Sequence, residues 1–212
     1  MNKIMRIFFT TKQRIERKIF RILHRKNAAT TMPIDSHSIV LLGDSQTQFF
    51  EAARYFHNTN VRNRGISGDR TDQVLNRLEN ITTGKPEKIF IEIGVNDLLQ
   101  GISADTTCKY ISLIIEKIEK SSPATAIYLQ NILPTANDLQ LFAQNGVRVL
   151  PLIKKLNEKI ERLAIQKSVN YVNLFDNFYL DNGLNPVYDC GDGLHLNHRA
   201  YLKWAALIAR YF

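Results

Sequence analysis

Short apolar runs alternate along this chain with longer segments in which apolar residues recur every three or four positions. The first run, residues 39–42, is wholly apolar and stops at Gly43, which is typical of a buried parallel strand. Strands are predicted on this basis at 39–42, 88–93, 126–132 and 171–175, and a short strand near 60–63 is predicted before the Gly65–Gly68 loop. Helical spacing and capping residues predict helices at 45–55, through 74–78, and at 104–121, 150–167 and 198–211.

The alternation of strands with helices predicts the fold class. Five strands separated by helices imply right-handed crossovers and a three-layer α/β/α sandwich around a five-stranded parallel sheet. In such folds ligands bind beyond the carboxyl ends of the strands. Ser45, Gly68 and Asn96 follow the first three strands. Because His195 follows the fifth strand, we expect all four residues to gather at one edge of the sheet.

Two segments at opposite ends of the chain carry the residue types of an acyl-transfer enzyme. Ser45 is a hydroxyl nucleophile, and His195 is a base that can accept its proton. Asp192 lies three residues before His195 and can hold the imidazole in the required tautomer. Asp44, directly before Ser45, is a plausible N-cap of the following helix. The order of these residues on an α/β pattern predicts a hydrolase.

The C-terminal segment also allows a different interpretation. Asp192, His195 and His198 have the spacing Asp-x-x-His-x-x-His, which could supply the ligands of an open zinc site. A metal site would leave Gly43-Asp44-Ser45 without a role, so the serine mechanism is favoured and no metal is expected. His198 is instead expected to begin the last helix and to face solvent. Because the chain has no glycine-rich phosphate-binding motif, no cofactor is expected either.

Four ordered segments identify a family resemblance. They are Gly43-Asp44-Ser45, the run from Asn63 to Asp69, Gly94-Val95-Asn96-Asp97, and the Asp192–His195 pair. Together they resemble the SGNH, or GDSL-type, esterase superfamily over about residues 38–212. The second segment is most similar to the branch of platelet-activating-factor acetylhydrolase-like and carbohydrate O-acetylesterase-like members. Gln46 stands where the family usually has leucine, a departure that leaves the reacting atoms unchanged.

The resemblance implies further details of fold and mechanism. It implies the flavodoxin-like strand order 2-1-3-4-5. It also implies an oxyanion hole formed by the backbone N–H groups of Ser45 and Gly68 and by the Asn96 side chain. These assignments suit the chemistry, because fixed donors must meet the charge that develops on the ester carbonyl oxygen. Gly65, which belongs to the same segment as Gly68, is expected to be a turn residue.

The predicted function is a cofactor-free serine esterase that removes a small O-acyl group from a carbohydrate or related alcohol. The preference for acetyl rests on the branch resemblance alone. Two alternatives remain open at this point. One is a lysophospholipase or thioesterase with a longer acyl preference. The other is a membrane-associated binding protein that keeps the fold without turnover.

The net charge of +8 is concentrated at the N-terminus. Residues 1–26 contain nine Lys or Arg and a single acidic residue, Glu16, so the remainder carries 19 basic and 19 acidic residues. A neutral body argues against a nucleic-acid enzyme, which would carry basic character around its site. The two cysteines, Cys108 and Cys190, do not suggest a disulfide scaffold.

Residues 1–30 are predicted to form a basic amphipathic helix and a linker, followed by a hydrolase domain at 31–212. The apolar residues of the helix recur at helical spacing; they are Ile4, Phe8, Ile15, Ile19 and Ile22. Such a helix fits the surface of an anionic membrane, and it equally fits packing against the domain or a second subunit. The sequence shows no run long enough to span a bilayer, and we expect no cleavable export signal because the first apolar stretch ends after Phe9. We therefore expect a cytoplasmic protein, with peripheral contact at the inner membrane surface as a hypothesis.

Overall fold

The computed structural model describes residues 32–57, 59–140 and 146–212. The predicted N-terminal helix and linker, residues 1–30, lie outside these ranges. The five predicted strands are all present: β1 Ile39–Gly43, β2 Val61–Gly65, β3 Lys88–Glu92, β4 Ala126–Gln130 and β5 Asn170–Val172. They form one parallel sheet in the order β2-β1-β3-β4-β5, which confirms the predicted fold class and strand order.

Helices cover both faces of this sheet. Those of the described residues are α1 Ser45–Gln48, α2 Ala52–Tyr55, α3 Thr71–Arg77, α4 Glu79–Thr82, α5 Val95–Leu99, α6 Ala104–Ser121, α7 Leu150–Gln166, α8 Phe175–Phe178 and α9 His198–Ala209. A two-stranded antiparallel hairpin, β6 Tyr179–Leu180 and β7 Gly183–Leu184, lies between α8 and α9 and was not predicted. Within the described part of the chain, no helix is long and apolar enough to cross a membrane.

Strand β1 shows why the sheet must be covered on both faces. Successive side chains of a strand point to opposite faces. Val40 and Leu42 belong to a core cluster with residues of α3, α6 and α7, whereas Ile39 and Leu41 belong to a second cluster with residues of α9. All four side chains are buried. The wholly apolar run that predicted this strand therefore reflects burial on both sides, and the result is the three-layer sandwich.

The predicted helix over 45–55 is wrong in one respect, because the chain forms two short helices there. The segment 49–51 separates α1 from α2. Phe50 lies in this break and is 1% exposed, with its ring 5.3 Å from Trp204 and 5.7 Å from Tyr201. Burying this aromatic side chain against α9 outweighs the gain of one continuous helix, since burial of a phenylalanine contributes about 1.5–3 kcal/mol.

Two smaller predictions also need correction. Gly65 is the last residue of β2, paired with Gly43, and not a turn residue. A Cβ at Gly65 would lie 2.2 Å from the backbone nitrogen of Gln48, so glycine is required by the close packing of α1 on this strand. Strand β5 ends at Val172 instead of 175, because the backbone N–H groups of Leu174 and Phe175 donate to Asn131 Oδ1 at 2.7 and 2.9 Å.

Candidate active site

Ser45 is the first residue of α1 and lies at the carboxyl end of β1. Asp44 is the N-cap of this helix, and its Oδ1 accepts a hydrogen bond of 2.9 Å from the backbone N–H of Gln46. This confirms the predicted cap. Ser45 is only 6% exposed. The cap therefore holds the serine in a fixed position at the edge of the sheet where parallel α/β folds place their ligands.

Ser45, His195 and Asp192 form a continuous chain of hydrogen bonds. The Ser45 Oγ lies 2.9 Å from His195 Nε2, although 150 residues separate the two along the sequence. On the other side of the ring, His195 Nδ1 lies 2.7 Å from Asp192 Oδ2. When Nδ1 carries the ring proton, Nε2 is free to accept the proton of the Ser45 hydroxyl group. Such an arrangement could activate a serine hydroxyl, with the imidazole as base and the carboxylate orienting the ring.

The Asp192 carboxylate holds the loop as well as the imidazole. Its Oδ1 accepts hydrogen bonds from the backbone N–H groups of His195 and Leu194, at 2.7 and 3.0 Å. Burial raises the pKa of Asp192, but the hydrogen bond and charge of His195 outweigh this effect and hold the pKa well below its ordinary value. Asp192 therefore stays ionised at neutral pH and keeps the ring proton of His195 on Nδ1.

Gly68 and Asn96 belong to turns next to the one that carries Ser45. The Asn96 Nδ2 donates to the backbone oxygen of Asp69 at 2.9 Å and lies 3.3 Å from Asp44 Oδ2. It therefore bridges the Gly68–Asp69 turn and the turn that carries Ser45. Gly68 has φ of +85°, a left-handed conformation that favours glycine, and a Cβ added there would meet no atom within 4 Å. The backbone at Gly68 is thus open to close approach by a substrate.

The turns that carry these groups are anchored by buried acidic residues. Asp97 accepts hydrogen bonds from the backbone N–H and the hydroxyl of Thr71, at 3.0 and 2.5 Å, which joins α5 to the start of α3. Asp69 accepts from Arg77 Nε at 2.8 Å, and Arg77 also donates to the backbone oxygen of Gly43 at 3.2 Å. These contacts tie together the ends of the first three strands.

The structure does not assemble the alternative metal site of Asp192, His195 and His198. Both ring nitrogens of His195 are occupied by contacts with Ser45 and Asp192. His198 begins α9, is exposed as predicted, and its Nδ1 lies 2.9 Å from the Tyr55 hydroxyl. Among the described residues, a different group has donor atoms within 4.8 Å of one another; it consists of Asp189, Cys190 and Asp192.

Sequence reasoning missed the role of Asp189 in shaping the histidine loop. Its Oδ1 accepts hydrogen bonds from the backbone N–H groups of Gly191, Asp192 and Gly193, at 2.8, 3.2 and 3.1 Å. An aspartate two residues before a glycine commonly closes such a turn through its side chain, so this signal was available in the sequence. Asp189 is therefore a poor candidate for metal binding, because both of its carboxylate oxygens already accept backbone N–H groups of the loop.

A pair of buried carboxyl groups lies next to Ser45. Asp44 follows β1, Glu92 ends the neighbouring strand β3, and both are fully buried. Burial raises the pKa of Asp44 to about 7. Burial, reinforced by the charge of Asp44, raises the pKa of Glu92 well above its ordinary value. The pair therefore retains a proton at pH values where exposed carboxyl groups are ionised.

Replacing Glu92 with glutamine is expected to stabilise the protein progressively as pH rises. A carboxyl group whose pKa is raised on folding costs stability as pH increases from its unfolded pKa of about 4.3 to its folded value. Glu92→Gln removes this cost. The free energy of unfolding of the variant minus that of wild type should therefore increase between about pH 5 and pH 8. Urea unfolding at both pH values measures the difference.

The matched control is Glu116→Gln. Glu116 is exposed, and its hydrogen bond with Lys167 lowers its pKa, so this variant should not gain stability as pH rises. An effect of Glu92→Gln that is equal at both pH values would contradict a protonated carboxyl pair.

Comparison with known proteins agrees with the fold and shows the family. The sequence profile of the GDSL-like lipase/acylhydrolase family matches residues 41–203. The chain is 26% identical over 171 residues to platelet-activating factor acetylhydrolase IB subunit alpha2 of Rattus norvegicus, an alignment covering 78% of this chain and 71% of that protein. The family match therefore includes both Ser45 and His195.

Solved structures show the same fold. A GDSL-like lipase from Bacteroides thetaiotaomicron superimposes with a TM-score of 0.76 at 22% identity, covering 90% of this chain and 96% of that one. An acetyl xylan esterase superimposes with a TM-score of 0.68 at 18% identity, covering 82% and 98% of the two chains. Because the family profile matches most of its length, the chain belongs to the GDSL-like lipase/acylhydrolase family and is a carboxylic ester hydrolase.

Proposed function

We propose that this enzyme is a serine esterase that removes a small acyl group, preferentially acetyl, from a carbohydrate or related alcohol. The observation that carries the proposal is the hydrogen-bond chain from Ser45 Oγ through His195 to Asp192. Every bond in it lies within the range expected for a nucleophile and its base. Its reacting groups are almost fully buried, which strengthens the electrostatic interactions among them.

The proposed reaction has two halves. In the first, His195 Nε2 takes the proton of Ser45 as Oγ attacks the ester carbonyl carbon, and the protonated imidazole then donates that proton to the departing alcohol oxygen. An acyl group is left on Ser45. In the second half, Nε2 takes a proton from water as the water attacks the acyl carbon, and returns it to Oγ as the acid leaves. Asp192 stays ionised and stabilises the imidazolium in both halves.

The oxyanion of each tetrahedral intermediate would be met by the backbone N–H groups of Ser45 and Gly68 and by Asn96 Nδ2. Asn96 is already oriented by its 2.9 Å hydrogen bond to the Asp69 carbonyl. Its second contact, to Asp44, is longer at 3.3 Å, so this N–H can turn to the oxyanion at small cost. Because the bond to the Asp69 carbonyl keeps the amide in place, little reorganisation is needed when charge develops.

Removing the Asn96 amide is expected to lower kcat by roughly 10²–10³-fold, as the loss of one oxyanion donor does in other serine enzymes. KM should change much less, because the interaction forms chiefly in the transition state. Steady-state kinetics of Asn96→Ala measure both constants. Asn170→Ala is the control, since it removes an amide hydrogen bond at the far end of β5. An effect confined to KM would show that Asn96 binds substrate and does not stabilise the oxyanion.

The preference for acetyl is supported by two of the similar proteins, whose names describe an acetylhydrolase and an acetyl xylan esterase. A local feature supports a short acyl group as well. The ring of Phe49 lies 5.5 Å from the His195 ring, so a bulky aromatic side chain bounds the site next to the reacting atoms.

Turnover of p-nitrophenyl esters from acetate to long-chain acids tests the proposal, followed by a panel of acetylated sugars. We expect kcat/KM to be highest for acetate. A maximum at long chains would favour a lysophospholipase or thioesterase. If no ester is turned over and a fluorophosphonate fails to label Ser45, the alternative of a binding protein without turnover would replace the esterase.

Peripheral membrane contact by residues 1–26 is a separate proposal about this enzyme. It is supported by the nine basic residues of that segment, each of which would contribute about 1 kcal/mol near an anionic surface. Co-sedimentation with anionic liposomes at low and high salt tests it. Binding that is absent, or that salt does not weaken, would instead favour packing of the segment against the domain or a second subunit.

A further inference from the structure

We propose that Gln46 is a positioning residue that holds His195 in register with Ser45. The inference rests on the proposed esterase function, because it assigns Gln46 a part in the same site. Gln46 directly follows the nucleophile and stands where the family usually has leucine. Its side-chain Nε2 donates a hydrogen bond of 2.6 Å to the backbone oxygen of Leu194. This bond joins the nucleophile turn to the histidine loop across 148 residues of sequence.

The hydrogen bond from Gln46 acts on the peptide group that links Leu194 to His195. The carbonyl of Leu194 and the N–H of His195 belong to one planar peptide unit, and they point in opposite directions. Gln46 holds the carbonyl end, while Asp192 Oδ1 holds the N–H end at 2.7 Å. The peptide plane is therefore fixed from both sides. Since the imidazole is attached to this plane through one Cα, fixing the plane restricts where Nε2 can lie.

Gln46 is itself rigidly held. Its side chain and backbone are 2% exposed, its N–H donates to Asp44 Oδ1 at 2.9 Å, and its carbonyl accepts from the Tyr201 hydroxyl at 3.0 Å. A residue whose backbone is held by these two hydrogen bonds can transmit the position of α1 to the histidine loop. Leucine at this position would fill similar space but could donate no hydrogen bond, so the link is a property of this chain's glutamine.

The test replaces Gln46 with methionine, which preserves length and removes the donor, and separately with leucine. Titration with a fluorophosphonate counts the folded, reactive sites, so kcat is expressed per titrated site and any loss of folded protein drops out. We expect kcat per site to fall roughly 10- to 100-fold, because small misplacements of a catalytic group have effects of this size. KM should be little changed.

Gln130→Met is the matched control. Gln130 is also a 2% exposed glutamine, and its Oε1 accepts a hydrogen bond of 2.9 Å from Trp204 Nε1 of α9. This variant should lose thermal stability while keeping kcat per titrated site. If Gln46→Met and Gln46→Leu behave in the same way as Gln130→Met, Gln46 only stabilises the fold and the positioning role is overturned.

A second measurement needs no substrate. The proton on His195 Nδ1 is held in the 2.7 Å hydrogen bond to Asp192, and its NMR resonance reports how well the ring is held. We expect this proton to exchange with water faster in Gln46→Met than in wild type or Gln130→Met. Unchanged exchange would overturn the proposal even if no ester is turned over. Failure of wild type to turn over esters, combined with faster exchange in the variant, would instead count against the esterase function alone.

Discussion

Replacing Ser45 with alanine is expected to lower kcat by roughly 10⁴- to 10⁶-fold while leaving a folded protein. Among the hydrogen bonds of the described residues, His195 Nε2 has one partner, the Ser45 Oγ at 2.9 Å. Without this oxygen, no acyl-enzyme can form there. Little disruption of the fold is expected, because alanine fits any site that accepts serine. Steady-state kinetics with p-nitrophenyl acetate and circular dichroism of the same samples measure the two effects.

A fluorophosphonate should label wild-type Ser45 and fail to label the Ser45→Ala variant, as peptide mass spectrometry of the adduct would show. Ser112→Ala, on the exposed face of α6, is the control and should keep full activity. Turnover by Ser45→Ala within a factor of about ten of wild type would rule out a serine nucleophile and return attention to a metal-assisted reaction.

Replacing Asp192 with asparagine is expected to lower kcat on the order of 10⁴-fold. Asparagine can still accept the backbone hydrogen bonds of Leu194 and His195 through its oxygen, so the loop should stay in place. Its amide group would then face His195 Nδ1 and donate to it. This forces the ring proton onto Nε2. A protonated Nε2 can no longer accept the proton of Ser45. Steady-state kinetics and thermal unfolding distinguish this effect from loss of fold.

Asp105→Asn is a suitable control for that variant. Asp105 is also an aspartate whose pKa is lowered by a basic partner, Lys159, but it is exposed on α6. It should keep full activity. If Asp192→Asn retains more than about a tenth of wild-type kcat, the carboxylate does not set the tautomer of His195.

Much of the fold could be predicted from the sequence because the central strands β1 and β3 are buried on both faces. A run such as 39–42 must be apolar throughout when helices cover both sides of the sheet, and such runs stand out from the helical segments. The strand order was not contained in this pattern and came only from the family resemblance. The break between α1 and α2 was not predictable, because it depends on packing Phe50 against Trp204 of a helix 150 residues away in the chain.

The candidate site divides in the same way. The sequence predicted Ser45, Asp192 and His195 from their residue types and order, and the family resemblance added the oxyanion roles of Gly68 and Asn96. Only the tertiary structure decided which atoms meet. The contacts of Gln46 with Leu194 and of Asn96 with Asp69, and the burial of Glu92 beside Asp44, depend on how layers pack across the sheet. Hydrophobic periodicity records which side of an element is buried, but it carries no information about the partner that covers it.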